Sequence, residues 1–131
     1  MDNQILVEKN IIEGKELIEA LDKKMLDIKA AMWFYFAESE AWKLLIATPM
    51  VDEKGPKEVY RLIQSVIGEM PATSKTSISF EDVIVLSPKD DPIALVGKMI
   101  RTGPGLSGIR FTKNVVNNKL IDDAYIYRLY I

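Results

Sequence analysis

Val7, Ile11, Gly14, Ile18, Leu21, Met25, Ile28 and Met32 recur in alternating steps of four and three, the spacing of one helix face. Ile12, Leu17 and Leu26 widen this stripe, while Glu16, Glu19, Asp22, Lys23 and Lys24 fall largely on the other side. A face of that length has to be buried, either on a sheet of the same chain or against a second copy. A helix from about residue 4 to residue 29 would be roughly 38 Å long. That is close to the diameter of a compact chain of this size, whose radius of gyration is about 14 Å. Gly14 interrupts the pattern at about 1 kcal/mol relative to Ala, which predicts a kink there or the true helix start.

The period then changes. Met32–Phe36 is aromatic and extended, Glu38-Ser39-Glu40 is polar, and Trp42–Thr48 is extended again, which reads as a hairpin. Trp33 and Tyr35 share one face of the first strand, and Met32, Phe34 and Phe36 the other, so this strand is expected in the centre of a sheet. Trp33 and Trp42 suggest either packing across the hairpin or a base-stacking platform. Pro49 ends the second strand, Met50–Lys54 reads as a polar loop, and Gly55-Pro56 opens a helix striped by Val59, Leu62, Ile63, Val66 and Ile67. Gly68 and Pro71 stop it, and residues 69–77 read as a Ser/Thr-rich connector.

Val83-Ile84-Val85-Leu86 has the continuous β-branched character of an interior strand. Asp91 as N-cap and Pro92 at the first helical position predict a third helix to about Arg101, ended by Gly103-Pro104-Gly105. Ile109–Lys113 reads as a strand. Asn114–Asp123 reads as a loop with a possible hairpin at Asn117-Asn118, and Ala124–Ile131 as a final strand. The pattern is α-β-β-α-β-α-β-β: one α+β domain over 1–131, with three helices on a mixed, mostly antiparallel sheet of about five strands. Val83–Lys113 is expected to form a parallel βαβ unit.

With 131 residues, 48% hydrophobic and 27% charged, the chain has the composition of a soluble globular protein that can bury a core without disulfides. It contains no histidine and no cysteine, so imidazole bases, thiolate nucleophiles and the usual zinc sites are excluded. No metal or cofactor is suggested and no catalytic constellation is recognisable. The longest apolar run, Ala30–Ala37, has eight residues, too few for a membrane span. No secretory signal is visible, and a cytoplasmic location is expected.

Two segments are candidate sites. Pro92–Ile121 carries Lys98, Arg101, Arg110, Lys113 and Lys119 with no acidic residue, against a net charge of −2 for the whole chain. Five such cations could neutralise phosphates of a nucleic acid or another polyanion. Ser87, Lys89, Asp90 and Asp91 follow a buried strand at the edge where open α/β sheets bind ligands, and a hydrolase or transferase pocket is conceivable there. The plainer reading is a helix cap. Gly103-Pro104-Gly105-Leu106-Ser107-Gly108 matches G-x-G-x-x-G literally, but it follows a helix and precedes a strand, the reverse of the dinucleotide fingerprint. Its glycines are expected to serve a helix C-cap and a tight turn, with Arg101 and Arg110 flanking them as possible anion holders. If the βαβ unit forms, this loop and Ser87–Asp91 lie at opposite ends of the sheet.

The acid doublets Asp52-Glu53, Glu81-Asp82, Asp90-Asp91 and Asp122-Asp123 point their members apart if extended, and the triplets Glu13-Gly14-Lys15 and Asp27-Ile28-Lys29 fall in the first helical segment. The leading expectation is therefore a non-catalytic interaction or accessory subunit acting as a homodimer, paired through the first helix or the Tyr-rich final strand.

Overall fold

The computed structural model describes residues 6–70 and 78–131. Helix α1 (Glu8–Lys23) leads to β1 (Ala30–Phe36) and β2 (Ala41–Ala47), then α2 (Met50–Lys54) and α3 (Pro56–Glu69). A 3-10 turn at Phe80–Asp82 precedes β3 (Val83–Leu86), followed by α4 (Ile93–Val96), β4 (Ile109–Val116) and β5 (Lys119–Leu129). The result is α+β, one mixed sheet in the order β3-β2-β1-β5-β4. All pairings are antiparallel except β2 with β3. The connector read at 69–77 lies, beyond Met70, outside the described residues, as does the expected helix start near residue 4.

β1 is the central strand, as its two apolar faces predict. On one face Trp33, Leu44, Ile46, Val83, Val85 and Tyr127 meet Leu17, Ile18 and Leu21 of α1 and Val59, Ile63 and Val66 of α3. On the other, Met32, Phe34, Leu45, Ile126 and Leu129 are covered by Ile93, Leu95 and Val96, with Val116 and Ile121 of the β4–β5 hairpin. Burying each such aliphatic or aromatic side chain contributes about 1.5–3 kcal/mol before entropy is counted. Trp33 and Trp42 are both buried, so they form no exposed stacking platform.

Helix α1 stops six residues short of the position its stripe suggests. Met25 adopts φ 64, a left-handed conformation. The Met25 N–H then reaches the Asp22 carbonyl at 2.9 Å and the Leu26 N–H the Leu21 carbonyl at 3.3 Å, a Schellman closure without its usual glycine. Met50–Lys54, expected as a loop, is a short helix whose start is helped by Thr48 Oγ1 accepting from the Met50 N–H at 3.2 Å.

The expected βαβ unit over Val83–Lys113 does not form. Asn117 and Asn118, with φ 51 and 66, make a two-residue turn that fixes β4 beside β5. β5 in turn lies against β1, so β3 and β4 end on opposite edges of the sheet. The parallel pair is instead β2 with β3, joined through α2 and α3. Val83–Leu86 is accordingly an edge strand rather than an interior one, with its sides covered by the two layers. The third helix shrinks to Ile93–Val96 because residues 87–108 must cross from one sheet edge to the other. That path spans about 19 Å at about 4.8 Å per strand, and ten helical residues advance only about 15 Å. β4 runs antiparallel to β3, so the Gly103–Gly108 loop and Ser87–Asp91 share one end of the sheet instead of lying at opposite ends.

Candidate functional site

Ser87 is buried at the end of β3, and its hydroxyl donates to Asp52 Oδ2 at 2.9 Å. The Ser87 N–H donates to Asp90 Oδ2 at 3.1 Å and the Lys89 N–H to Ser87 Oγ at 3.2 Å, so these residues build a turn tied to α2. Asp91 is not the expected N-cap, since Pro92 occupies that position without a side-chain cap bond. The Asp91 carboxylate instead lies 4.0 Å from Lys119 Nζ. Lys89, Asp90 and Asp91 are exposed. Chemically this is a strand-terminating knot, with the serine hydroxyl already committed to a carboxylate.

The basic residues meet acids that lie outside their acid-free stretch. Arg110 grips Asp123 through Nε and Nη2, both at 2.7 Å, and sits 5.7 Å above the Trp42 ring. The Asp123 carboxylate holds the Arg110 guanidinium still more firmly charged than usual. Lys113 Nζ is 3.3 Å from Asp122, and Lys119 pairs with Asp91 as above. Arg110 and Lys113 are on β4 and Lys119 opens β5, whereas Arg101 stacks 5.7 Å from the Tyr130 ring beyond the other end of β5. Lys98 is exposed just after α4. Ion pairing accounts for three of the five side chains, and for Arg110 and Lys113 it runs across the β4–β5 hairpin.

In the Gly103–Gly108 loop, a Cβ at Gly103 or Gly105 would meet open space, and neither has a positive φ. Only Gly108 is sterically required, because a Cβ there would collide with the Tyr125 hydroxyl. The expected helix cap is absent. The loop is fastened to β5 by Thr102 N–H to the Leu129 carbonyl at 2.9 Å and Ser107 N–H to the Tyr127 carbonyl at 2.6 Å.

Sequence reasoning missed two groups. The first is a buried cluster in which the Tyr127 hydroxyl donates to the Ile11 carbonyl at 2.5 Å and accepts from Trp33 Nε1 at 3.1 Å. Burial pushes the Tyr127 hydroxyl well above the ordinary tyrosine range. The second is Arg128, which β5 carries inside because Tyr127 is skipped in the register between Ile126 and Arg128 opposite β1. This bulge turns both Tyr127 and Arg128 toward the α1 side. Arg128 Nη1 and Nη2 reach Asp22 at 3.1 and 2.9 Å, and Nη1 also reaches the Ile28 carbonyl at 3.2 Å. An arginine inside Tyr125-Ile126-Tyr127-Arg128-Leu129 is the one signal that could have flagged it, since no alternation places it outside reliably.

The β4–β5 hairpin holds a third feature. Val115 and Leu120 face each other in the register and are 64% and 63% exposed. Leu120 also lines a cavity of about 330 Å³ with Phe34, Tyr35 and Phe36. Among the described residues no group of three or more acidic side chains is placed to hold a metal ion, and no helix is long and apolar enough to cross a membrane. Neither protein-family models, nor curated proteins, nor solved structures give a significant match to this chain.

Proposed function

We propose that this chain is a non-catalytic interaction module that associates with a second copy of itself through the β4–β5 hairpin. The observation that carries the reading is the Val115–Leu120 pair, apolar and mostly exposed, on a hairpin whose outer strand ends the sheet. An exposed edge strand beside apolar side chains is a template for pairing, and two-fold self-association is the commonest way to cover one. The first helix and the final strand support pairing less, since Leu17, Ile18 and Leu21 are spent on the sheet and β5 has strands on both sides.

Sedimentation velocity over the micromolar range tests the proposal. The native chain is expected to dimerise, and Val115→Lys and Leu120→Lys are expected to be monomeric with unchanged circular dichroism. A native chain that stays monomeric throughout overturns it.

A further inference from the structure

We infer that Arg128, Lys29 and Arg101 form, around Tyr130, a binding site for a small oxyanion, the carboxylate or phosphate group of a ligand. The site is a cavity of about 310 Å³ at the end of β5, whose lining includes Asp22, Asp27, Lys29, Pro104, Arg128 and Tyr130. Lys29 lines the cavity with Arg128, and Lys29 Nζ and the Arg101 guanidinium approach the Tyr130 ring at 5.8 and 5.7 Å, so two further cations gather at the tyrosine that borders it. Against these three positive charges stand two negative ones. Asp22 is engaged by Arg128, and Asp27 meets Lys29 at 3.4 Å in a largely exposed contact. An exposed pair of that kind is weak, so Lys29 is free to turn to a better acceptor.

Arg128 supplies the geometry. A guanidinium has an end fork, Nη1 with Nη2, and a side fork, Nε with Nη2. Arg110 spends its side fork on Asp123 with two contacts of 2.7 Å. Arg128 spends its end fork on Asp22, and its Nε finds no acceptor although the side chain is only 9% exposed. A buried charged donor without an acceptor is rare, and an oxyanion on the side fork satisfies it with the geometry already realised at Arg110. The Nε atom has no solvent exposure, so the ligand must shift a wall of the cavity. Pro104 belongs to that wall and lies between Gly103 and Gly105, around which there is open space.

The test is a titration of the full chain, ¹⁵N-labelled, followed by NMR at the arginine Nε–Hε signals. Sodium phosphate and sodium acetate are added separately at constant ionic strength, balanced with sodium chloride. A saturable shift of the Arg128 signal with either probe, the Arg110 signal staying still, supports the site. Phosphate alone acting assigns a phosphate group; acetate acting as well assigns a carboxylate. Arg101→Gln and Lys29→Gln alter side chains at the rim and are each expected to weaken the midpoint at least threefold. Both leave the buried Arg128–Asp22 pair in place, so the test does not require replacing Arg128. An Arg128 signal that does not move, that moves equally with chloride, or whose midpoint is unchanged in either variant overturns the inference. The readout is independent of self-association, so it stands or falls apart from the hairpin interface.

Discussion

The Tyr127 hydroxyl fills the space that a side chain at Gly14 would need. Gly14 is therefore neither a kink nor a helix start but a point of close approach inside α1, where Trp33 Nε1 would also collide with an added Cβ. Two effects compete in Gly14→Ala. Helix propensity favours alanine by about 1 kcal/mol, whereas forcing apart a packed core costs about 1–3 kcal/mol, and here a hydrogen-bonded pair is displaced as well. The variant is expected to lose about 1–3 kcal/mol in urea denaturation. Adding Tyr127→Phe should recover part of that loss, since the oxygen is the nearest obstacle.

The same hydroxyl predicts loss of stability in alkali. Burial raises the folded-state value of Tyr127 above its ordinary 10.0. The contribution is then complete below that value and disappears as pH rises toward the folded one, because the unfolded chain releases the proton first. Urea midpoints should be flat from pH 7 to 9 and fall above 10, by at most about 1.4 kcal/mol per pH unit for this group. Tyr127→Phe should flatten the fall.

Asp22 and Arg128 join the end of α1 to the end of β5 across a sequence separation of 106. Asp22→Ala leaves the guanidinium inside without its carboxylate. Breaking a buried pair costs about 3–5 kcal/mol, and the partial exposure of Asp22 reduces this to about 2–3 kcal/mol by solvent screening. The double variant Asp22→Ala with Arg128→Met should be more stable than Asp22→Ala alone, as read from thermal melts.

Met25 is 85% exposed in a left-handed conformation. Met25→Gly removes a strain of about 1–2 kcal/mol and gives back about 0.4–1 kcal/mol through the freer unfolded chain. A net gain of about 0.5 kcal/mol is expected in the urea midpoint.

Ser87→Ala should cost about 1.5–3 kcal/mol, the net value of a hydrogen bond to a carboxylate. Because the native serine is buried, incubation with a fluorophosphonate is expected to leave its mass unchanged.

The elements most readable from sequence were those whose signal is local. Val59, Ile63 and Val66 stripe α3 in the expected way, Pro56 starts it, and Asn117-Asn118 turns a hairpin. The end of α1 was hidden because the left-handed residue is a methionine, and no composition rule singles out Met25. Strand order was hidden for a different reason. Val83–Leu86 has the same pattern whether it has one neighbour or two, and its place follows only from the turn that commits β4 to β5. The basic residues were legible as a cluster in sequence, yet Asp122 and Asp123, lying just beyond it, neutralise two of them across the hairpin. Arg128 was unreadable because a single skipped residue decides which way it turns.

The long passage from β3 to β4 has a consequence for how the polypeptide can be divided. Everything after Gly108 is one hairpin, laid alongside β1 by the β1–β5 seam and tied to the preceding chain at Thr102 and Lys29. Residues Gly103–Gly105 are exposed, and a side chain at either glycine would meet open space. Nicked there, the two fragments would still own complementary halves of the sheet, and mixing them should regenerate the native assembly as a non-covalent pair.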